Sequence, residues 1–521
     1  MKNFEIVYNK VMLTLLILDG YGIGKENKFN AIYKNSPNVE SLKKIYPSSS
    51  LNASEQFVGL TKGQMGNSET GHLNIGAGRV VYQSLTKIDN LIKADELKNS
   101  KALLDSVKHI KKMGGKVHLM GLISDGGVHS HIEHLKYLLK FYNAEGCECV
   151  LHCFMDGRDT LFNSGIKYLK EIQNFIKKNK IECKIAGLVG RVYAMDREKR
   201  FDRIQKAYVM LTSNDEKNLK EFGIEKAENF EKALKQHYKN GNYDEYLTPI
   251  KLTDDVILDG DAIVSFNFRT DRMRELISAF GDKKFKEFNA IKFKNIYIAT
   301  MTQYDKTFDF AHVIVEPENI ENCLSEVLSK NSLKQFRVTE TTKYAHITFF
   351  FNGEIEKPFE GEDRFLIDSI NVQDFSLVPK MRAKQITDKA VETLKAGNYD
   401  FMLINLSNPD MLGHTGNLKA TKKAIRFIDK CVKKIYKESK KTNSTLLITA
   451  DHGNAELMMD EFGNKVTSHT TNKVPLILIS DKKDIELKDG SLCDIAPTIL
   501  EILNIKKPKE MTGESLIKEK K

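Results

Sequence analysis

Six acidic and imidazole side chains stand where apolar runs end. Asp19 closes a run near the N-terminus, and the adjacent pair Asp451 and His452 closes another far along the chain, in TADHGN. Between them Asp410 and His414 stand four apart in NPDMLGHTG, and His469 follows in SHTTN. Carboxylate oxygens and neutral imidazoles bind divalent cations, and the i, i+4 spacing turns Asp410 and His414 toward one point if the turn is helical. Asp451 and His452 cannot both face one site inside an extended strand; they can where the backbone turns off at Gly453. The absence of cysteine from the set favours Mn, Zn or Co over a thiolate zinc site. Any one of these residues alone reads as a turn or a structural side chain. Their conjunction at strand ends is what points to a metal centre.

A second group lies in the glycine-rich stretch KGQMGNSETGHLNIGAGR, residues 62–79. It has neither the GK[ST] ending of a P-loop nor the GxGxxG of a dinucleotide fingerprint, which disfavours both nucleotide readings. Ser68 precedes a stretch with helical character. A serine there gains from free backbone N–H groups and the helix dipole, and a neighbouring cation would lower its pKa. The plainer alternative makes Ser68 a helix N-cap. A third group is basic: Arg158 beside Asp159 in DGRDT, Arg191 and Arg197 in GRVYAMDR, Arg269 and Arg272 in FNFRTDR, His129 in GGVHSH and Lys343 in ETTKYAH. Guanidinium forks gathered at strand ends suit a small, multiply charged anion carrying carboxylate or phosphate.

The elements that must position these groups alternate. Short apolar runs bounded by Gly, Asp and Asn are separated by longer Lys/Glu-rich amphipathic stretches, the pattern of buried parallel strands joined by crossover helices. The spacing predicts strands over 13–20, 116–127, 149–159, 183–191, 261–269, 296–304, 345–353, 401–410 and 444–454. In open parallel sheets ligands bind beyond the carboxyl ends of the strands, where the polar residues above are expected.

The 521 residues allow about three domains' worth of chain at roughly 150 residues each. A hydrophobic share of 41% excludes general disorder. The net charge of +10 comes from lysines interleaved with acids on helix-like surfaces, without the aromatic interleaving of a nucleic-acid-binding face. The seven cysteines, three of them clustered at Cys147, Cys149 and Cys153, read as reduced core thiols. The apolar run at 11–18 is too short to cross a bilayer of about 30 Å and lacks the flanks of a signal peptide, so a cytoplasmic protein without a membrane anchor is expected.

The ordered motifs LLILDGYG, MGNSETGH, SDGGVHSH, MDGRDT, GRVYAMDR, FNFRTDR, ETTKYAH, NPDMLGHTG, TADHGN and SHTTN closely resemble the cofactor-independent phosphoglycerate mutases of the alkaline phosphatase superfamily, over almost the whole chain. The resemblance implies an α/β alkaline-phosphatase-like metal-binding domain, 1–83 and 318–521, with a second α/β substrate-binding domain, 84–317, inserted into it. It implies that Asp19, Ser68, Asp451 and His452 hold one metal ion and Asp410, His414 and His469 another. The ions would be two Mn²⁺, with Zn²⁺ or Co²⁺ as alternatives. Ser68 would be the nucleophile that becomes phosphoserine, Lys343 would lie near the transferring phosphoryl group, and Asp159 would exchange the proton. His129, Arg158, Asp159, Arg191, Arg197, Arg269 and Arg272 would bind substrate. The implied activity is the interconversion of 3- and 2-phosphoglycerate in glycolysis and gluconeogenesis by a monomer, without nucleic-acid or membrane partners. Another phosphomutase or a phosphatase of the same superfamily is the competing enzyme reading. Leu161, Phe162, Thr270 and Leu412 depart from the usual family pattern without removing any of these groups. The residues before Val11 read as a short extension.

Overall fold

The computed structural model describes residues 12–481 and 485–519. The N-terminal extension lies outside the described residues. The chain forms two compact units, one from residues 1–83 with 319–521 and the other from 84–318.

The first unit is built on an eight-stranded sheet. Its middle is parallel: Leu13–Leu18 lies between Phe401–Leu406 and Thr445–Thr449, and Gln335–Glu340 and Glu362–Ile367 extend it on one side. On the other side Val474–Ile479 runs antiparallel to Thr445–Thr449 and leads to Ser48–Asn52. Every residue of Leu13–Leu18, Phe401–Leu406 and Thr445–Thr449 is buried, as continuous β-favouring runs require when helices cover both faces. One covering helix is Leu418–Lys441, whose inward stripe of Ile425, Ile428, Val432 and Ile435 follows the 3.6-residue period.

The second unit carries its own eight-stranded sheet, in the order Ala311–Val313, Tyr297–Thr300, Ala262–Ser265, Val117–Leu122, Cys149–Met155, Cys183–Gly190, Ile250–Lys251 and Glu225–Lys226. All neighbours are parallel except the pair Cys183–Gly190 and Ile250–Lys251. Its core packs Leu119, Leu151 and Val264 from the strands against Leu135, Leu138 and Leu169 from the helices. All seven cysteines are free thiols.

One expected strand is wrong. Residues 345–353 do not extend; His346–Phe350 is a wide helical turn. Lys343, Ile347 and Phe351, spaced four apart, are buried there together with Thr348 and Asn352, which is a helical face hidden in an apolar run too uniform to show it. The strand of this region is the preceding Gln335–Glu340, whose polar composition concealed it. Arg337 within it is fully buried, its guanidinium bonded to Ser325 and Gln335 and lying over the rings of Phe351 and Phe401.

Close approach between strand ends makes one glycine obligatory. Gly20 follows Asp19 with φ of +75°, and a Cβ there would lie 2.7 Å from the Asp410 Cα. Gly20→Ala is expected to lower stability by roughly 1–3 kcal/mol through left-handed strain alone, with the clash adding to it. Urea unfolding indistinguishable from that of the parent would show that the turn relaxes at no cost.

Candidate active site

Four adjacent parallel strands of the first unit deliver its polar cluster. Asp19 directly follows Leu13–Leu18, Asp410 lies on the short helix Asn408–Gly413 after Phe401–Leu406, Asp451 and His452 follow Thr445–Thr449, and Lys343 follows Gln335–Glu340. Parallel strands place all four at one sheet edge. The turns are cross-linked: the Asp410 amide donates to the Asp19 carbonyl at 2.9 Å, and the Gly20 and His452 amides donate to Asp451 Oδ1 at 3.2 and 3.1 Å.

Ser68 arrives from outside the sheet. It is the first residue of the helix Ser68–Ala77, and the cap is Asn67, whose side chain accepts from the Thr70 amide. The N-cap alternative for Ser68 therefore fails by one residue, and its hydroxyl is left to the cluster. Ser68 Oγ is 2.6 Å from Lys343 Nζ, 2.9 Å from His452 Nε2 and 3.4 Å from Asp19 Oδ1. The Lys343 ammonium also donates to Asp19 Oδ1 at 2.7 Å and to Asp410 Oδ2 at 2.8 Å.

Two groups of ligand atoms lie within 4.8 Å of one another, Asp19 with Asp451 and His452, and Asp410 with His452 and His469. His452 is common to both. His414 is half exposed, with Nε2 at 3.2 Å from Asp410 Oδ1 and 3.0 Å from His469 Nε2, as the i, i+4 spacing requires. Burial and the neighbouring Asp451 push the Asp19 carboxyl above the usual range. Burial works the same way on Asp410, but Lys343 and the bonds from His414 and His469 outweigh it and hold that carboxyl well below. For Asp451, His452 and His72 outweigh burial and lower it. Burial opposes the Lys343 charge, yet Asp19 and Asp410 raise its pKa. The arrangement is a dense, dry array of anionic and imidazole donors around one hydroxyl.

Sequence reasoning missed the residues that hold these groups in place. His72 bonds the Ser68 carbonyl and lies 3.2 Å from Asp451 Oδ2, Asn405 donates to Asp19 Oδ2 at 2.8 Å, and Asn454 donates to Asp410 Oδ1 at 2.8 Å. Glu456 accepts from the Gly22 and Asn454 amides and from Thr470 and Asn472. His72 and Asn454 lie inside quoted motifs and carried a signal; Asn405 sits mid-strand and carried none.

The second unit gathers the basic residues at the carboxyl edge of its own sheet. Arg191 Nη1 donates to Asp156 at 2.7 Å and to Asp159 at 2.6 Å, and Asp156 also accepts from Ser124 and from the Arg158 and Asp159 amides. Asp271 accepts from Arg197 at 2.7 Å and from Arg269 at 3.1 Å, with His129 Nδ1 3.9 Å away. Arg272 donates to the Met195 carbonyl, and burial with the nearby Arg197, Arg191 and Arg158 lowers its pKa. Burial and Arg191 push His129 down to about 4. Buried Arg191 Nε and His129 Nδ1 have no hydrogen-bond partner among the described residues. Asp156 and Asp271, the organisers of this cluster, stand beside the predicted arginines in the same motifs and escaped notice because they neutralise the cations they orient.

The metalloenzyme superfamily model matches residues 11–507. The 2,3-bisphosphoglycerate-independent phosphoglycerate mutase of Acetivibrio thermocellus is 44% identical over 518 residues, covering 97% of this chain and 99% of the relative. Its counterpart 1 in Methanosarcina barkeri is 44% identical over 519 residues, covering 98% of each. Among solved structures, Leishmania mexicana phosphoglycerate mutase at low cobalt concentration aligns with a TM-score of 0.62 and 28% identity, covering 98% of each chain. The expected α/β class holds, one α/β unit interrupted in sequence by a second, and the chain matches the metalloenzyme superfamily. A superfamily match over nearly all residues and full-length relatives at this identity establish that the chain is an enzyme belonging to the 2,3-bisphosphoglycerate-independent phosphoglycerate mutase family.

Proposed function

We propose that the enzyme interconverts 3-phosphoglycerate and 2-phosphoglycerate without 2,3-bisphosphoglycerate, through a phosphoserine at Ser68. The observation that carries this reading is the placement of Ser68 Oγ within 3.4 Å of an ammonium, an imidazole and a carboxylate. We assign metal binding to residues 1–83 with 318–521 and substrate binding to 84–317. The working unit is a monomer in the cytoplasm, acting in glycolysis and gluconeogenesis.

The residues fit two divalent cations. Asp451 Oδ2 is buried with His72 Nδ1 at 3.2 Å but no well-aligned hydrogen bond among the described residues, the Lys343 ammonium stands among carboxylates as a cation would, and every donor is oxygen or imidazole nitrogen. Asp19, Ser68, Asp451 and His452 would hold one ion, and Asp410, His414 and His469 the other; Mn²⁺ suits this set, with Zn²⁺ or Co²⁺ as alternatives. Ions held there would supply Lewis-acid charge against the negative charge that builds on the phosphoryl oxygens.

Ser68 enters the cycle as its alkoxide, its proton lost to solvent before substrate binds, and the Lys343 ammonium at 2.6 Å stabilises that charge. A bond forms from Oγ to phosphorus as the bond from phosphorus to the glycerate oxygen breaks. Asp159 gives the leaving oxygen its proton. It then takes the proton of the neighbouring hydroxyl as that oxygen attacks the phosphoserine and frees Ser68. Lys343 Nζ offsets charge on the transferring group throughout. His129, Arg158, Arg191, Arg197, Arg269 and Arg272 hold the anionic substrate, and the unpartnered Arg191 Nε and His129 Nδ1 support that role.

Incubation with 3-phosphoglycerate and Mn²⁺, without bisphosphate and coupled to enolase, is expected to yield phosphoenolpyruvate; release of inorganic phosphate alone would make the enzyme a phosphatase. Ser68→Ala is expected to abolish both turnover and phosphoryl labelling, and near-normal turnover would remove Ser68 as nucleophile. Exhaustive chelation should inactivate and Mn²⁺ restore activity, whereas indifference to chelation would reject the metal assignment.

The basic cluster has its own pH test. His129 has a folded pKa below its ordinary value of ~6.5, so its neutral form contributes stability that is present above that value and is lost as pH falls toward about 4. Between pH 7 and 5 the parent should lose about 1 kcal/mol more than His129→Asn in urea unfolding. Parallel stability curves would mean that His129 is solvated rather than desolvated.

A further inference from the structure

The first unit carries a recess that the proposed reaction does not use. It measures ≈ 550 Å³ and lies between the segment 370–381 and the outer face of the helix Leu418–Lys441. Its apolar surface includes Leu377 and Phe427, and its polar wall is Lys380, Lys423, Arg426 and Lys430, with no acidic residue among those that line it. The volume suits a small organic molecule better than a single ion.

Charge distinguishes this recess from an ordinary surface dip. Lys423, Arg426, Phe427 and Lys430 follow the i, i+3, i+4, i+7 spacing and form one stripe on the helix opposite its buried face. Nearby, Lys384, Lys389 and Lys434 stand within reach of Asp or Glu. Among the described residues none of the four recess cations makes an ion pair. Arg426 Nε donates to Asn35 at 2.7 Å, which fixes the guanidinium without neutralising it, and Lys380 lies 5.3 Å from the centre of the Phe427 ring. Concentrated like charge beside exposed apolar surface is complementary to an anion with an apolar body that covers both. Leu377 is 75% exposed, so apolar contact remains available.

The wall is ordered from behind. The Pro379 carbonyl accepts from the buried Asn408 side chain at 3.0 Å, and Met381 packs with Leu412, Ala420 and Ala424. These contacts hold the segment 370–381 against the helix that carries Asp410, so the recess is a built feature and not a loose loop.

We propose that this recess binds a small amphipathic anion, an acyl or aromatic body bearing a carboxylate or sulfonate, with the body against Leu377 and Phe427 and the head among Lys380, Lys423, Arg426 and Lys430. The proposal is independent of the reading of the catalytic centre.

The test uses the full chain and 8-anilino-1-naphthalenesulfonate as fluorescent probe, with octanoate, octanol, inorganic phosphate and hexaglutamate as competitors. Saturable fluorescence should be displaced by octanoate and not by octanol or phosphate at equal concentration. The double variant Lys423→Glu/Lys430→Glu should weaken the probe at least tenfold, and Leu377→Ser, which keeps every charge, several-fold, while mutase turnover stays at the parental level in both. Unchanged probe affinity in either variant overturns the proposal. Displacement by phosphate as effective as by octanoate would reduce the site to a charge patch, and displacement by hexaglutamate alone would make it a site for acidic peptides; either result also overturns it.

Discussion

Anionic charge held out of water is the constraint around which the first unit is arranged. Asp19, Asp410 and Asp451 are all buried, and ionised carboxylates so close together repel one another at low dielectric. What offsets them is the Lys343 ammonium, together with backbone amides at the ends of parallel strands and the amide groups of Asn405 and Asn454. The sheet topology follows from this need. Only adjacent parallel strands present several chain ends at one edge, and only a turn as tight as Gly20 lets the Asp19 and Asp410 backbones meet.

The inserted unit solves the opposite problem with the same architecture. Its strands deliver cations, and Asp156 and Asp271 orient them by pairing with Arg191, Arg197 and Arg269. Pairing leaves unpartnered polar atoms at Arg191 Nε and His129 Nδ1, which is how a cluster of guanidinium groups is preorganised without being wholly satisfied. His129 stays neutral among these cations because burial and Arg191 both disfavour its charge.

Much of this was legible in the sequence because polar residues at the ends of apolar runs are where α/β sheets place their chemistry. Asp19, Asp410, Asp451, His452 and His469 were named on that ground, and they converge. The illegible part has physical causes. Gln335–Glu340 is a buried strand with only two apolar residues, Phe336 and Val338, and its polar side chains bond Ser325, Asn405 and Ser407, so it does not stand out as an apolar run. The run at 345–353, with Ile347 and three successive phenylalanines, forms a helical turn although it reads as extended. Asn405 looks like an ordinary strand residue until the tertiary fold brings Asp19 beside it. That His452 falls within reach of both carboxylate groups is a matter of ångströms, and spacing along a chain carries no such information.

The placement of Leu13–Leu18 between Phe401–Leu406 and Thr445–Thr449 has a consequence for synthesis. The earliest strand of the sheet leaves the ribosome hundreds of residues before either neighbour exists, whereas the inserted unit is contiguous and completes its own core in the meantime. A greasy, unpaired segment must therefore wait, and a wait of that kind is when non-native association competes with folding. The buried polar cluster is therefore completed late in synthesis, because no truncated product that ends before His469 contains all of it.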